Sequence, residues 1–213
     1  MFSSLANYFK IYPPLEGGGI FRKVPWITLG LSGIMIALYG MGQNMFDLLV
    51  LDKEALRHGE LWRFFTGHFV HFNFDHILWD LLAFLILGTV IELHHRRYLI
   101  FSLLVSCVVV SLWICFGTTI SAYCGLSGAL SGLLVIAAMI QWKKSHNKIF
   151  IYVVLATIGK IIFELMTQQT IFTNLSSKAV PTAHAAGFVA GFICLFFENI
   201  KIKREKIYAN KIE

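Results

Sequence analysis

The stretch CGLSGALSGLLVIAAMI (residues 124–140) decides what kind of molecule this is. It carries no charged side chain, and 17 residues at 1.5 Å of helical rise span about 25 Å, close to the hydrocarbon thickness of a bilayer. Its glycines, Gly125, Gly128 and Gly132, are of the kind that let two helix backbones approach closely. Working outward, five further apolar runs recur between polar breaks: Pro25 to Gly42, Phe74 to Ile91, Tyr98 to Gly117, Ile149 to Met166, and Pro181 to Phe197. With 57% hydrophobic and only 14% charged residues among 213, the chain is too apolar for a soluble domain of its size. The expectation is an all-α polytopic membrane protein of six transmembrane helices.

The excess of 18 Lys and Arg over 12 Asp and Glu would ordinarily raise the question of nucleic acid. Placed on six spans, the basic residues instead sort by side. Thirteen, among them Arg22, Lys23, Arg96, Arg97, Lys143, Lys144 and Lys201, fall on one face, against Lys53, Arg57, Arg63 and Lys178 on the other. The positive-inside rule then puts both termini in the cytoplasm. The first 24 residues, with Pro13, Pro14 and Gly17 to Gly19, do not read as a cleavable signal. The organisation expected is a cytoplasmic segment over 1–24, a membrane domain over 25–199 and a basic cytoplasmic tail over 200–213. Two external connections stand out, Gln43 to Asn73 and Thr167 to Val180, the second a candidate cover over a site. Cys107, Cys115 and Cys194 fall in apolar spans as small hydrophobes, whereas Cys124 sits at the outer edge of its span.

Polar residues in such spans are expensive unless paired or hydrated, so they mark function. His76 and Asp80 lie at i and i+4 on one face of the second span. Ser127 opens the fourth span and His184 the sixth, within AHAAG (183–187). The second, fourth and sixth spans all begin on the external side, so helical rise places the four residues within roughly 10 Å of that surface. A serine and a histidine at a common depth, sharing a hydrated cavity, are what nucleophilic catalysis inside a bilayer requires. The small-residue faces Gly128/Gly132 and Gly187/Gly191 would bring their helices together. The four letters alone are a weak signal, because Gly30-Leu31-Ser32-Gly33 repeats them in the first span. Ser32 lies roughly 13 Å in from the cytoplasmic side with no histidine at its depth, and reads as a helix-contact residue. Lys160 and Glu164, at i and i+4 in the fifth span, read as a structural ion pair rather than a transport pathway.

Several motifs, in order, resemble those of rhomboid intramembrane serine proteases over roughly residues 58 to 198. They are Glu60-Leu61-Trp62-Arg63, then His71 followed by His76, then Gly125-Leu126-Ser127-Gly128, then Ala183-His184-Ala185-Ala186-Gly187 with Gly191. The resemblance implies a Ser127 nucleophile and a His184 general base acting as a dyad. It also implies an oxyanion site formed by backbone N–H groups near Leu126 and Ser127, after Gly125, with help from His76. Two positions depart from the commonest rhomboid pattern. Asp80 stands where an asparagine usually donates to the oxyanion; it must act as a neutral acid, which burial favours, or by orienting His76. Ser131 stands where an aromatic residue often packs on the histidine, and either hydrogen-bonds His184 or fills space. The ending Val180-Pro181-Thr182-Ala183-His184 and the start of the second span are most like the rhombosortase branch. The resemblance implies no metal or organic cofactor, and a membrane-anchored substrate with a transmembrane or C-terminal hydrophobic segment. It places the chain in a bacterial inner membrane with the site facing the external or periplasmic side. A catalytically inactive rhomboid-like binder of client helices is the alternative.

Overall fold

The computed structural model describes residues 24–168 and 180–209, with side chains up to residue 199. The N-terminal segment, most of the candidate cover between Thr167 and Val180 and the end of the basic tail lie outside the described residues. The first helix, α1 (Trp26–Gly40), ends at Met41 and Gly42, and the chain turns through 119° into α2 (Gln43–Leu49). A short strand β1 (Leu51–Asp52), helices α3 (Lys53–Arg57) and α4 (Arg63–Thr66) and a 3-10 turn (Gly67–Phe69) complete the connection to the next long helix. The long helices follow: α5 (Phe74–His94), α6 (Arg96–Gly117), α7 (Ser127–Ser145), α8 (Ile149–Thr167) and α9 (Pro181–Ala209). A second short strand, β2 (Ala122–Tyr123), precedes α7 and pairs antiparallel with β1, Leu51 opposite Tyr123 and Asp52 opposite Ala122.

Four of these helices, α5, α6, α8 and the Pro181–Asn199 part of α9, are long and apolar enough to cross a membrane. Counting the bent α1–α2 pair as one span raises the number to five. Of the six spans of the sequence reading, four or five thus meet the requirement of length and composition among the described residues. The fourth run departs for a physical reason. Its helix begins at Ser127 rather than Cys124, and ten of its 19 residues are buried by the other helices. Such a helix needs small residues more than lipid-like ones. At the opposite extreme is α8, with three of its 19 residues buried.

The bundle is tied at both ends by polar side chains. Glu92 of α5, itself buried, accepts from the first free amides of α1, Ile27 N at 3.0 Å and Thr28 N at 2.8 Å, and from the Thr28 hydroxyl at 2.8 Å. That is a helix cap supplied from another helix. At the other end Arg63 donates to Glu60 Oε2 (2.6 Å) and to the carbonyls of Asp47 (2.6 Å) and Val50 (2.9 Å), stitching the long connection into one body. His68, fully buried, bonds Ser111 Oγ of α6 at 2.8 Å, and Ser111 in turn donates to Phe64 O. Because the single hydroxyl proton of Ser111 goes to Phe64, His68 Nε2 carries its own proton and donates. Burial pushes the His68 imidazole down to about 4. The connection is therefore a rigid support, and it carries the backbone bond from Gly125 N to Gly67 O (3.0 Å) that holds the approach to α7.

Candidate active site

The site is assembled where the N-terminal ends of α5, α7 and α9 meet the connection between α1 and α5. Gly125 adopts φ +97°, a left-handed conformation open to glycine. A β-carbon there would strike the ring of His76, so the turn into α7 has no room for any other residue. The turn leaves Ser127 as the first residue of α7, half-buried, with its hydroxyl at the helix entrance.

α7 and α9 touch backbone to backbone. A β-carbon on Gly187 would collide with the Gly128 carbonyl oxygen, and one on Gly191 would lie 2.6 Å from the Gly132 carbonyl oxygen. This contact sets the depth of His184 against Ser127: Nε2 lies 3.1 Å from Ser127 Oγ. The other ring nitrogen, Nδ1, lies 2.7 Å from Oε2 of Glu164 on α8, and the second oxygen of Glu164 takes Lys160 Nζ at 2.7 Å. Glu164 is completely buried and His184 only 7% exposed. The sequence places Lys160 and Glu164 together but gives no sign that Glu164 also reaches His184. The cue is positional: Glu164 stands near the C-terminal end of α8, the depth at which His184 begins α9.

Asp80 Oδ2 accepts from Leu126 N at 2.7 Å and Ser127 N at 3.1 Å and is hydrogen-bonded to His71 Nε2 at 3.0 Å, with His76 Nε2 at 3.6 Å. Two backbone N–H donors converging on one oxygen suit a carboxyl group that caps a helix start. Asp80 thus caps the N-terminus of α7 and occupies the two amides that the family resemblance assigns to an oxyanion. Ser131 donates to the carbonyl of Ser127 at 3.2 Å, the ordinary back-bond of a helical serine, so it turns along its own helix. Ser32, in the other copy of the four-letter motif, is buried in α1 with no partner for its hydroxyl among the described residues.

The ligand atoms of His71, His76 and Asp80 lie within 4.8 Å of one another, a set that could hold a divalent cation. The donors already converging on Oδ2 account for the cluster without one. A cleft between the α1–α2 corner, at Tyr39 and Phe46, and Val70 to Phe72 reaches His71 from the surface.

A multi-pass helical membrane protein with a serine and a histidine in hydrogen-bond contact at the heads of two packed helices defines the class. The rhomboid domain model matches residues 58–199, and the chain belongs to the rhomboid family. That family is of the intramembrane-protease type, generally serine proteases acting on membrane-protein substrates. Comparison with curated proteins finds no match.

Proposed function

We propose that the chain is an intramembrane serine endopeptidase that cleaves a transmembrane or C-terminal hydrophobic segment of a membrane-anchored protein. The observation that carries this reading is the 3.1 Å contact between Ser127 Oγ and His184 Nε2. As Ser127 attacks a peptide carbonyl, its proton passes to His184 Nε2. The imidazolium then gives that proton to the departing amine as the C–N bond breaks, and water, deprotonated by His184, releases the acyl group.

The amides of Leu126 and Ser127 would receive the oxyanion. Asp80 Oδ2 already accepts from both amides, which supports this corner as a place for a negatively charged oxygen. In the reaction Asp80 yields those donors and stays on His71 and His76. An Asp80→Asn side chain can keep the cap through its carbonyl and removes the charge opposing the oxyanion. The variant therefore retains or gains activity on this reading. The same occupancy favours the second reading, an inactive rhomboid-like binder of client helices, in which Asp80 never leaves.

The Val180–His184 and His76–Asp80 sequences support a rhombosortase-like assignment, with a substrate carrying a C-terminal sorting signal of small residues, an apolar helix and a basic tail. That assignment in turn supports a bacterial inner membrane, and the sorting of Lys and Arg to one face supports both termini in the cytoplasm with the site on the external or periplasmic side. The test is labelling of the purified full chain by a fluorophosphonate. Labelling that disappears in Ser127→Ala supports the peptidase. Equal labelling of both removes Ser127 as nucleophile, and no labelling of either supports the inactive binder.

A further inference from the structure

Glu164 sits on the helix least able to use it for packing. Only Thr157, Ile161 and Glu164 of α8 are buried, so one of three inward-facing groups is a carboxylate. Burying a carboxylate costs several kcal/mol unless it is paired, and a leucine at that position would fill space without the cost. Lys160, one turn earlier on the same helix and partly exposed, supplies the countercharge through Oε1. Pairing with Lys160 does not require Oε2 to reach across to another helix, yet Oε2 lies 2.7 Å from His184 Nδ1.

We infer that Glu164 is a positioning residue that turns the Ser127–His184 pair into a serine–histidine–glutamate triad, with Lys160 as the second partner of the carboxylate. The inference rests on the peptidase reading above and deepens it. A carboxylate accepts only, so the proton on Nδ1 of His184 points at Glu164 and the lone pair of Nε2 points at Ser127. That is the tautomer a general base needs. When Nε2 takes the serine proton, the imidazolium forms beside a fixed negative charge. The proton on Nδ1 remains on His184 throughout, and Glu164 neither gains nor loses one. Among the described residues, the charged and titratable groups around the ring come from three helices: Ser127 from α7, Glu164 and Lys160 from α8, and His76 with Asp80 behind it from α5.

Replacing the carboxylate of a serine–histidine–acid triad by its amide lowers turnover by about 10⁴-fold where the geometry is kept. The test is the rate of fluorophosphonate labelling across pH on the detergent-solubilised full chain, for wild type, Glu164→Gln and Lys160→Met, with thermal unfolding as the control for folding. Glu164→Gln is expected to label at least about 100-fold more slowly at neutral pH, with the midpoint of its pH curve moved to lower pH. Lys160→Met is expected to move the midpoint the other way, because His184 then faces the glutamate without the nearby cation. A purely structural glutamate would not move the curves in opposite directions. Wild-type rate and midpoint in a folded Glu164→Gln overturn the inference, and should that variant fail to fold, an unmoved curve in Lys160→Met overturns it. Both results leave the peptidase reading intact, because that reading fails only if labelling is absent or indifferent to Ser127→Ala.

Discussion

The chain contains the same four residues twice, Gly30-Leu31-Ser32-Gly33 and Gly125-Leu126-Ser127-Gly128, and the two copies have nothing else in common. The first lies in the middle of α1, in regular helix. Its serine is buried without a hydroxyl partner among the described residues, and β-carbons on Gly30 or Gly33 would meet nothing within 4 Å. The second straddles a helix start. Gly125 is left-handed against His76, Gly128 lies against the backbone of α9, and the serine faces a histidine. A motif of small residues acquires chemistry from where the helix begins and what the neighbouring helix carries.

The comparison breaks most sharply at the serines. Ser127→Ala is expected to lower fluorophosphonate labelling at least about 1,000-fold, while Ser32→Ala stays within about twofold of wild type. Comparable losses in both variants would make the two copies equivalent. The glycines give the next contrast. Gly187→Ala forces α9 away from the Gly128 carbonyl and is expected to destabilise the protein by about 1–3 kcal/mol, read as thermal unfolding in detergent, with labelling lost as His184 withdraws. Gly33→Ala enters open space in a helix interior and is expected to stabilise by up to about 1 kcal/mol. A Gly187→Ala protein as stable and reactive as wild type would show that close backbone contact does not position the histidine.

A smaller effect is expected from acid. His68 is held neutral by burial, at about 4 against an ordinary 6.5. Between those values the unfolded chain takes up a proton that the folded chain refuses, so stability falls as pH drops from about 6.5 towards 4, by on the order of 3 kcal/mol from this group. His68→Gln keeps a donor for Ser111 and should flatten that part of the stability curve. An unchanged slope would mean that other groups set the acid sensitivity.

Much of this arrangement is legible in the sequence because membrane helices obey few rules. The depth argument brings Ser127 and His184 to one level, and the glycine pairs on α7 and α9 indicate which helices touch. The rest is hidden for identifiable reasons. The span containing Ser127 is lined with Gly, Ala and Ser because protein covers it, so composition marks it less clearly than its neighbours. The β1–β2 pair is two residues long on each side, too short for any alternation to show. Glu164 is masked by Lys160: an i, i+4 ion pair is a complete explanation of both residues until a third partner is seen across the helix boundary. Asp80 reads as a missing asparagine, whereas in space its carboxylate caps the helix that carries the serine.

The most direct measurement is the site of covalent modification. After reaction of the full chain with a fluorophosphonate, peptide mapping by mass spectrometry should find one adduct, on Ser127, and none when His184 is replaced by alanine. An adduct on another serine, or one on Ser127 that forms equally well without the histidine, would contradict the account.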